Sequence, residues 1–214
     1  MKLNYKKTKV MLFNPCRKID FMPELRIGDH ELQVVDEIRL LGLIIRSDMS
    51  WIANTANIVG KANKRLWILR RLKNLGAQQI DLVDVFIKQI RSVLELAAPA
   101  WQGGLTQVEK QDIERIQKSA CHIILGHEYV SYRSALNLLE LESLESRRIK
   151  LSLKFGLKSE KHHKFKNWFK PSVKICNTRQ ELLKYCDVKA NHTRFEKSPL
   201  SFLTRLLNMH YKVK

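Results

Sequence analysis

Acidic side chains are the scarce component of this chain: 21 Asp and Glu stand against 39 Lys and Arg in 214 residues, a formal net charge of +18. Long apolar runs are missing too. Nothing approaches the roughly 18–20 consecutive apolar residues of a membrane span. The lysine-bearing start, residues 1–14, holds no apolar run long enough for a signal peptide. Cysteine is limited to Cys16, Cys121, Cys176 and Cys186. With no export signal these read as thiols in a reducing, intracellular setting, nucleus or cytoplasm. Cys176, Cys186 and His192, with the pair His162-His163, fit no standard zinc-finger spacing, so no metal site is expected. No Ser/His/Asp set and no Gly-rich phosphate loop stands at useful spacing, so no small-molecule substrate is implied. One adjacent acidic pair exists, Asp36-Glu37, between Val35 and Ile38. Phosphoryl transfer by two metal ions needs carboxylates clamped on adjacent strands. This pair reads instead as a solvated bend.

What is present is a basic, globular chain. A hydrophobic content of 44% is enough for a buried core in one domain of good size or two small ones. The positive surplus points to a polyanion, and it is uneven. Residues 1–50 carry a net +2, residues 51–100 +5, residues 101–150 zero and residues 151–214 +11. A polyanion would therefore meet the first long helix and the tail.

The periodicity changes near residue 50. Before it, short runs suit strands: Val10 to Phe13, then 21–27 and 31–35 about a Gly28-Asp29 turn. The continuous apolar run 38–45 suits a strand buried on both faces. After it the pattern is helical. Ser50 is placed to cap a helix opening at Trp51 and running to about Asn74, with Gly76 closing it. On that helix Val59, Ala62, Leu66 and Leu69 share one arc, and Lys61, Lys64, Arg65 and Arg71 the opposite one. That cationic arc, short of acid, is the best binding candidate. A second helix is expected over about 78–96, with Leu82, Val85, Phe86, Ile90 and Val93 at core spacing, ending before Pro99. Thr106 and Glu109 form a capping box for a third helix to Leu125, closed by Gly126 and burying Cys121. Further helices are expected over 131–139 and 143–158. The stretch 162–198 reads as irregular, and Pro199 as the first residue of a last short helix. The expected fold is α+β and mainly α: a small N-terminal β-hairpin or sheet (1–50), a helical domain (51–160) and a basic C-terminal region (161–214).

The order of these pieces resembles one family. Leu3, Asn4, Lys7, Thr8, Met11 and Phe13 stand at the spacing L-N-x-x-K-T-x-x-M-x-F. Leu40-Leu41-Gly42-Leu43-Ile44, Asp48 and Trp51 follow, then the basic helix. Ile90-Arg91-Ser92-Val93-Leu94-Glu95, Ala97-Ala98-Pro99 and Trp101 come next. Ser131 to Leu139 and Leu144 with Arg147-Arg148 complete the series. In this order over residues 3–148 they are similar to non-LTR (LINE-type) retrotransposon reverse transcriptases, with the closest look to the jockey-like branch. Residues 195–208 resemble the tail end of such polyproteins.

The resemblance implies that residues 1–50 are the end of a palm. Leu41, Gly42 and Leu43 would lie in its primer grip, and the helices after residue 51 would form a thumb-like bundle that tracks an RNA/DNA template-primer duplex. The family draws its catalytic carboxylates from a hairpin and a strand upstream of the L-N-x-x-K-T segment. This chain alone is therefore expected not to polymerise and to need no cofactor, Mg2+ being expected only in a full-length polymerase. Lys7 stands where the family's motif lysine lies near the incoming nucleotide, and a plain exposed lysine is the other reading. Arg147 and Arg148 are expected to cap or to pair with Glu142 and Glu145. The run 164–170 either stacks unpaired bases or packs Phe165 and Trp168 inward. Two functions remain open: a polymerase portion that binds template-primer without catalysis, and a host-adopted module that binds nucleic acid or protein. With their palm partners missing, the strands of 1–50 are expected to leave a sheet edge exposed and the isolated chain marginal or sticky.

Overall fold

The computed structural model describes residues 4, 7–13, 24–171, 185–186 and 198–212. The chain divides into two compact units, Met1–Asn57 and Ile58–Lys214, with the boundary inside the first long helix. The class is α+β and mainly helical, with the strands confined to the N-terminal part. The segment expected as a separate basic region, 161–214, lies within the second unit.

The first unit is built from pairs of short strands. Lys9–Val10 (β1) pairs in parallel with Gln33–Val34 (β4). Arg26–Ile27 (β2) and His30–Glu31 (β3) form an antiparallel pair about the expected Gly28-Asp29 turn. Residues 14–23, where the rest of that first strand was expected, lie outside the described residues. The run 38–45 is not one strand. Glu37–Leu40 (β5) and Leu43–Arg46 (β6) are antiparallel, with Leu40 opposite Leu43 and Ile38 opposite Ile45. Leu41 (φ 48°) and Gly42 (φ 90°) make the two-residue loop between them. Positive φ at both central positions marks a type I′ turn, whose twist matches that of the flanking strands. The apolar run is thus two strands folded on each other, and Leu41 at the apex is 93% exposed. Asn54, fully buried, accepts from the Ile44 N–H at 3.2 Å.

Ser50 does not cap the first helix. Its hydroxyl is buried without a partner among the described residues, and its N–H donates to Asp48 at 3.0 Å. The Trp51 carbonyl takes the first helical bond, from Thr55 N–H at 2.8 Å. The helix is Ile52–Asn74 (α1).

The second unit holds the main core. The second helix begins as Gln79–Val85 (α2), widens to a π-helical segment Phe86–Arg91, and ends as Ser92–Leu94 (α3). Its buried residues are Leu82, Phe86, Ile90 and Leu94, each four apart. At about 3.6 residues per turn such a row drifts by about 40° per step around a straight helix. The wider π turns reduce that drift and keep the row facing the core. The expected core positions Val85 and Val93 are only half-buried. Ala97, in the left-handed region at φ 49°, breaks the chain direction, and Pro99 opens the short helix Ala98–Trp101 (α4).

The capping box forms as expected at Gln107–Leu125 (α5): Thr106 accepts from Glu109 N–H at 3.3 Å, and Glu109 from Thr106 N–H at 2.7 Å. Cys121 is buried there. Gly126 (φ 60°) ends the helix. A Cβ at that position would meet Lys73 Nζ at 2.8 Å, because this ammonium donates to the Ile124 carbonyl at 2.7 Å. Serine hydroxyls cap the next two helices, Ser131 for Tyr132–Leu138 (α6) and Ser143 for Leu144–Lys161 (α7). The last helix, Pro199–Lys212 (α8), opens at proline as expected and is longer than the short segment foreseen. Phe169, Tyr185, Leu203 and Leu207 form its core against Leu153 and Leu157 of α7. The Asn208 amide accepts from Tyr185 N–H at 2.9 Å and donates to the Tyr185 carbonyl at 3.0 Å, as a neighbouring strand would. No helix of the described residues is long and apolar enough to cross a membrane.

Candidate nucleic-acid interface

Helix α1 contains no aspartate or glutamate. Its inner face is Ile58, Ala62, Leu66 and Leu69, all buried, whereas the expected Val59 is half-buried. Its outer face carries Lys64, Trp67, Arg70 and Arg71, all exposed. Spacings of three, six and seven place them on one side. Trp67 stands at 63% exposure between these cations. Among the described residues, no carboxylate pairs with Lys64, Arg70 or Arg71.

The expected cations do not all serve that face. Lys61 is half-buried, and so is Arg65. The Arg65 guanidinium donates to the Gln89 carbonyl in the π-helical segment, so it ties α1 to the second helix. Trp67 was missed in the sequence because only cations were placed on the polar arc, and Arg70 because it stands about 100° from Arg71 around the helix. An exposed tryptophan three residues from Lys64 was visible on the same wheel.

In the first unit, Lys7 is exposed, and its N–H donates to the Asn4 carbonyl at 3.1 Å. The Thr8 hydroxyl donates to the same carbonyl at 2.9 Å. The motif's Asn, Lys and Thr thus close one turn, while Leu3 lies outside the described residues. Leu41 and Gly42 form the hairpin apex described above, and Leu43 is the one buried hydrophobic among the described residues of this unit. Asp36 accepts from the Ser47 hydroxyl at 3.1 Å, and both Asp36 and Glu37 are exposed. A lone pair of solvated carboxylates, one engaged by a serine, does not fit a two-metal clamp.

Several carboxylates of the helical bundle are engaged by its own side chains and backbone. Glu95 receives Arg147 at 2.5 and 3.1 Å, with Arg91 at 3.8 Å from the same side chain. The Glu95 hydrogen bond holds the Arg147 guanidinium above its ordinary value, while burial pushes that of Arg91 down. Arg148 is fully buried and donates to Gln102 at 2.7 Å, with its guanidinium 5.8 Å from the Trp101 ring centre. Its two terminal nitrogens have no hydrogen-bond partner among the described residues. Burial lowers its pKa, and the charges of Glu114, Glu145 and Glu95 oppose that. The two arginines therefore do not pair with Glu142 and Glu145, which receive Lys150 and Lys110 instead. Glu95, Trp101, Arg147 and Arg148, all quoted for the resemblance, interlock across about fifty residues of chain.

In the tail, the inward-packing reading of 164–170 fails: Phe165 is half-buried, Trp168 is 45% exposed, and Phe169 is the ring in the core. Of the zinc candidates, Cys176 and His192 lie outside the described residues. Cys186 is a free, exposed thiol donating to the Pro171 carbonyl at 3.3 Å, and His162 stacks on His163. Among the described residues no group of three metal-ligating side chains converges.

No protein-family model, no curated protein and no solved structure matches this chain.

Proposed function

We propose that this chain is the end-of-palm and thumb portion of a non-LTR retrotransposon reverse transcriptase, and that it binds a template-primer duplex without catalysing polymerisation. The observation that carries the binding reading is the outer face of α1: Lys64, Arg70 and Arg71 exposed on a helix without acid and, among the described residues, without a carboxylate partner. Such a face neutralises phosphates and releases their counterions, so affinity falls steeply with salt. The ordered motifs of residues 3–148 support the family reading. Asp36-Glu37, the one adjacent acidic pair in the sequence, does not fit a two-metal clamp, which supports the non-catalytic one. Filter-binding titration of an RNA–DNA hybrid at two salt concentrations tests binding, and a primer-extension assay on the same preparation tests the absence of nucleotide incorporation. Salt-independent or undetectable hybrid binding refutes the first part, and extension refutes the second.

A further inference from the structure

The C-terminal part of the second unit carries features that the α1 face leaves unused. Four rings stand in series: His163 against His162 with centres 4.6 Å apart, His162 against Phe165 at 5.0 Å, and Phe165 against Trp168 at 4.7 Å. His162, His163 and Trp168 are exposed. Trp168 also lines an open cavity of about 540 Å3, whose other walls include Phe155, Pro99, Pro199 and Leu203 and are almost wholly apolar. Residues 154–171 hold six lysines, and Glu160 is their one acid. That carboxylate accepts from the Tyr211 hydroxyl at 2.8 Å. Lys154, Lys158, Lys161, Lys164 and Lys170 are exposed.

Exposed rings stay in water at a cost unless a partner covers them, and the lysines fix the sign of that partner's charge. A continuous duplex hides the faces of its bases. An unpaired strand offers phosphates and free base faces together, and aromatic rings in a cationic groove suit that combination. We propose that the ring series from His162 to Trp168, with the cavity that Trp168 lines, docks an unpaired nucleic-acid strand. Bases stack on the exposed rings, and the phosphates run along the lysines. Neither the residues nor the ligand form is shared with the α1 face, so this site stands or falls separately from duplex binding.

The test titrates the full chain against a labelled short oligothymidylate, which has no internal pairing, and against the hybrid duplex, by fluorescence anisotropy. The expected result is a loss of about tenfold or more in oligothymidylate affinity for Trp168→Ala. Trp168→Phe, which keeps a stacking face, retains most of the binding, and hybrid affinity is unchanged in both. Wild-type affinity in Trp168→Ala overturns the proposal, as does equal loss in Trp168→Phe, which marks a packing role. Tight binding of an acidic, aromatic-rich peptide with none of the oligothymidylate assigns the site to protein and also overturns it. If hybrid binding fails while the oligothymidylate result holds, only the α1 reading is lost.

Discussion

Cys121 lies wholly inside the bundle, and burial pushes its thiol from the ordinary value near 9.0 up to about 11, with the Glu114 charge adding to the shift. Burial and the hydrogen bond to Glu114 raise the Tyr132 hydroxyl in the same direction. Both groups are held neutral in the fold and ionise more easily once unfolded. The Cys121 contribution is therefore complete below pH 9 and is lost as the pH climbs towards 11, while that of Tyr132 begins to fall as the pH passes its ordinary value of 10.0. The melting temperature should be level to about pH 9 and fall above it, and Cys121→Ala should flatten part of that fall. A level profile to about pH 11 in differential scanning fluorimetry would contradict the assignment. On α1 the cations separate by role. Lys64→Ala with Arg71→Ala should flatten the slope of log affinity against log salt by about 0.9 for each phosphate no longer neutralised, leaving stability nearly unchanged. Arg65→Ala should do the reverse, leaving the slope alone and costing about 0.5–1.5 kcal/mol in urea unfolding through the lost bond to the exposed Gln89 carbonyl.

Between elements, Glu114 of α5 holds the start of α7. Its carboxylate accepts from Leu144 N–H at 3.1 Å and Glu145 N–H at 3.3 Å, and also takes the Tyr132 hydroxyl. A negative charge at a helix N-terminus is favourable, and these N–H groups have no intrahelical acceptor. Glu114→Ala should lower stability by about 2–3 kcal/mol, read as a shifted urea midpoint with an unchanged m-value. Ser50, expected as a cap, does not act as one, but the Thr106–Glu109 capping box, the helix starts at Ser131 and Ser143, and Pro199 as a first helical residue were legible beforehand. Glu114 was not, because its partners lie thirty residues on and only the folded chain brings them close. The π-helical segment was hidden for a related reason: a row of apolar residues four apart also fits a slightly drifting α-helix. The 38–45 run concealed its turn because Leu41 carries no turn signature, although Gly42 beside it does. Of the cationic face, charge pattern revealed Lys64 and Arg71 but could not distinguish them from Arg65, whose acceptor belongs to another helix.

At the scale of the molecule, the two units differ in what holds them. Leu43 is the one buried hydrophobic of the first unit's described residues, while the rest of the apolar core belongs to the second. Phe13, Leu25, Leu40 and Leu41 are exposed in the first. Hydrogen exchange should therefore release the β5–β6 amides well before those of α5, and a single protection level across both would argue against two units. Leu41→Asn places Asn-Gly in the type I′ loop, removes an exposed apolar side chain and suits positive φ. It should slow β5–β6 exchange and reduce self-association seen by light scattering.

The clasp of Arg147 on Glu95 sets which lesions the helical body tolerates. A reading frame interrupted between residues 115 and 143 keeps Glu95 and Glu114 but loses the Arg147 counter-ion of the first and the helix that the second anchors. Such truncated polypeptides keep buried charge without its partner, whereas an in-frame substitution in the strands of the first fifty residues spares the helical body and its cationic face.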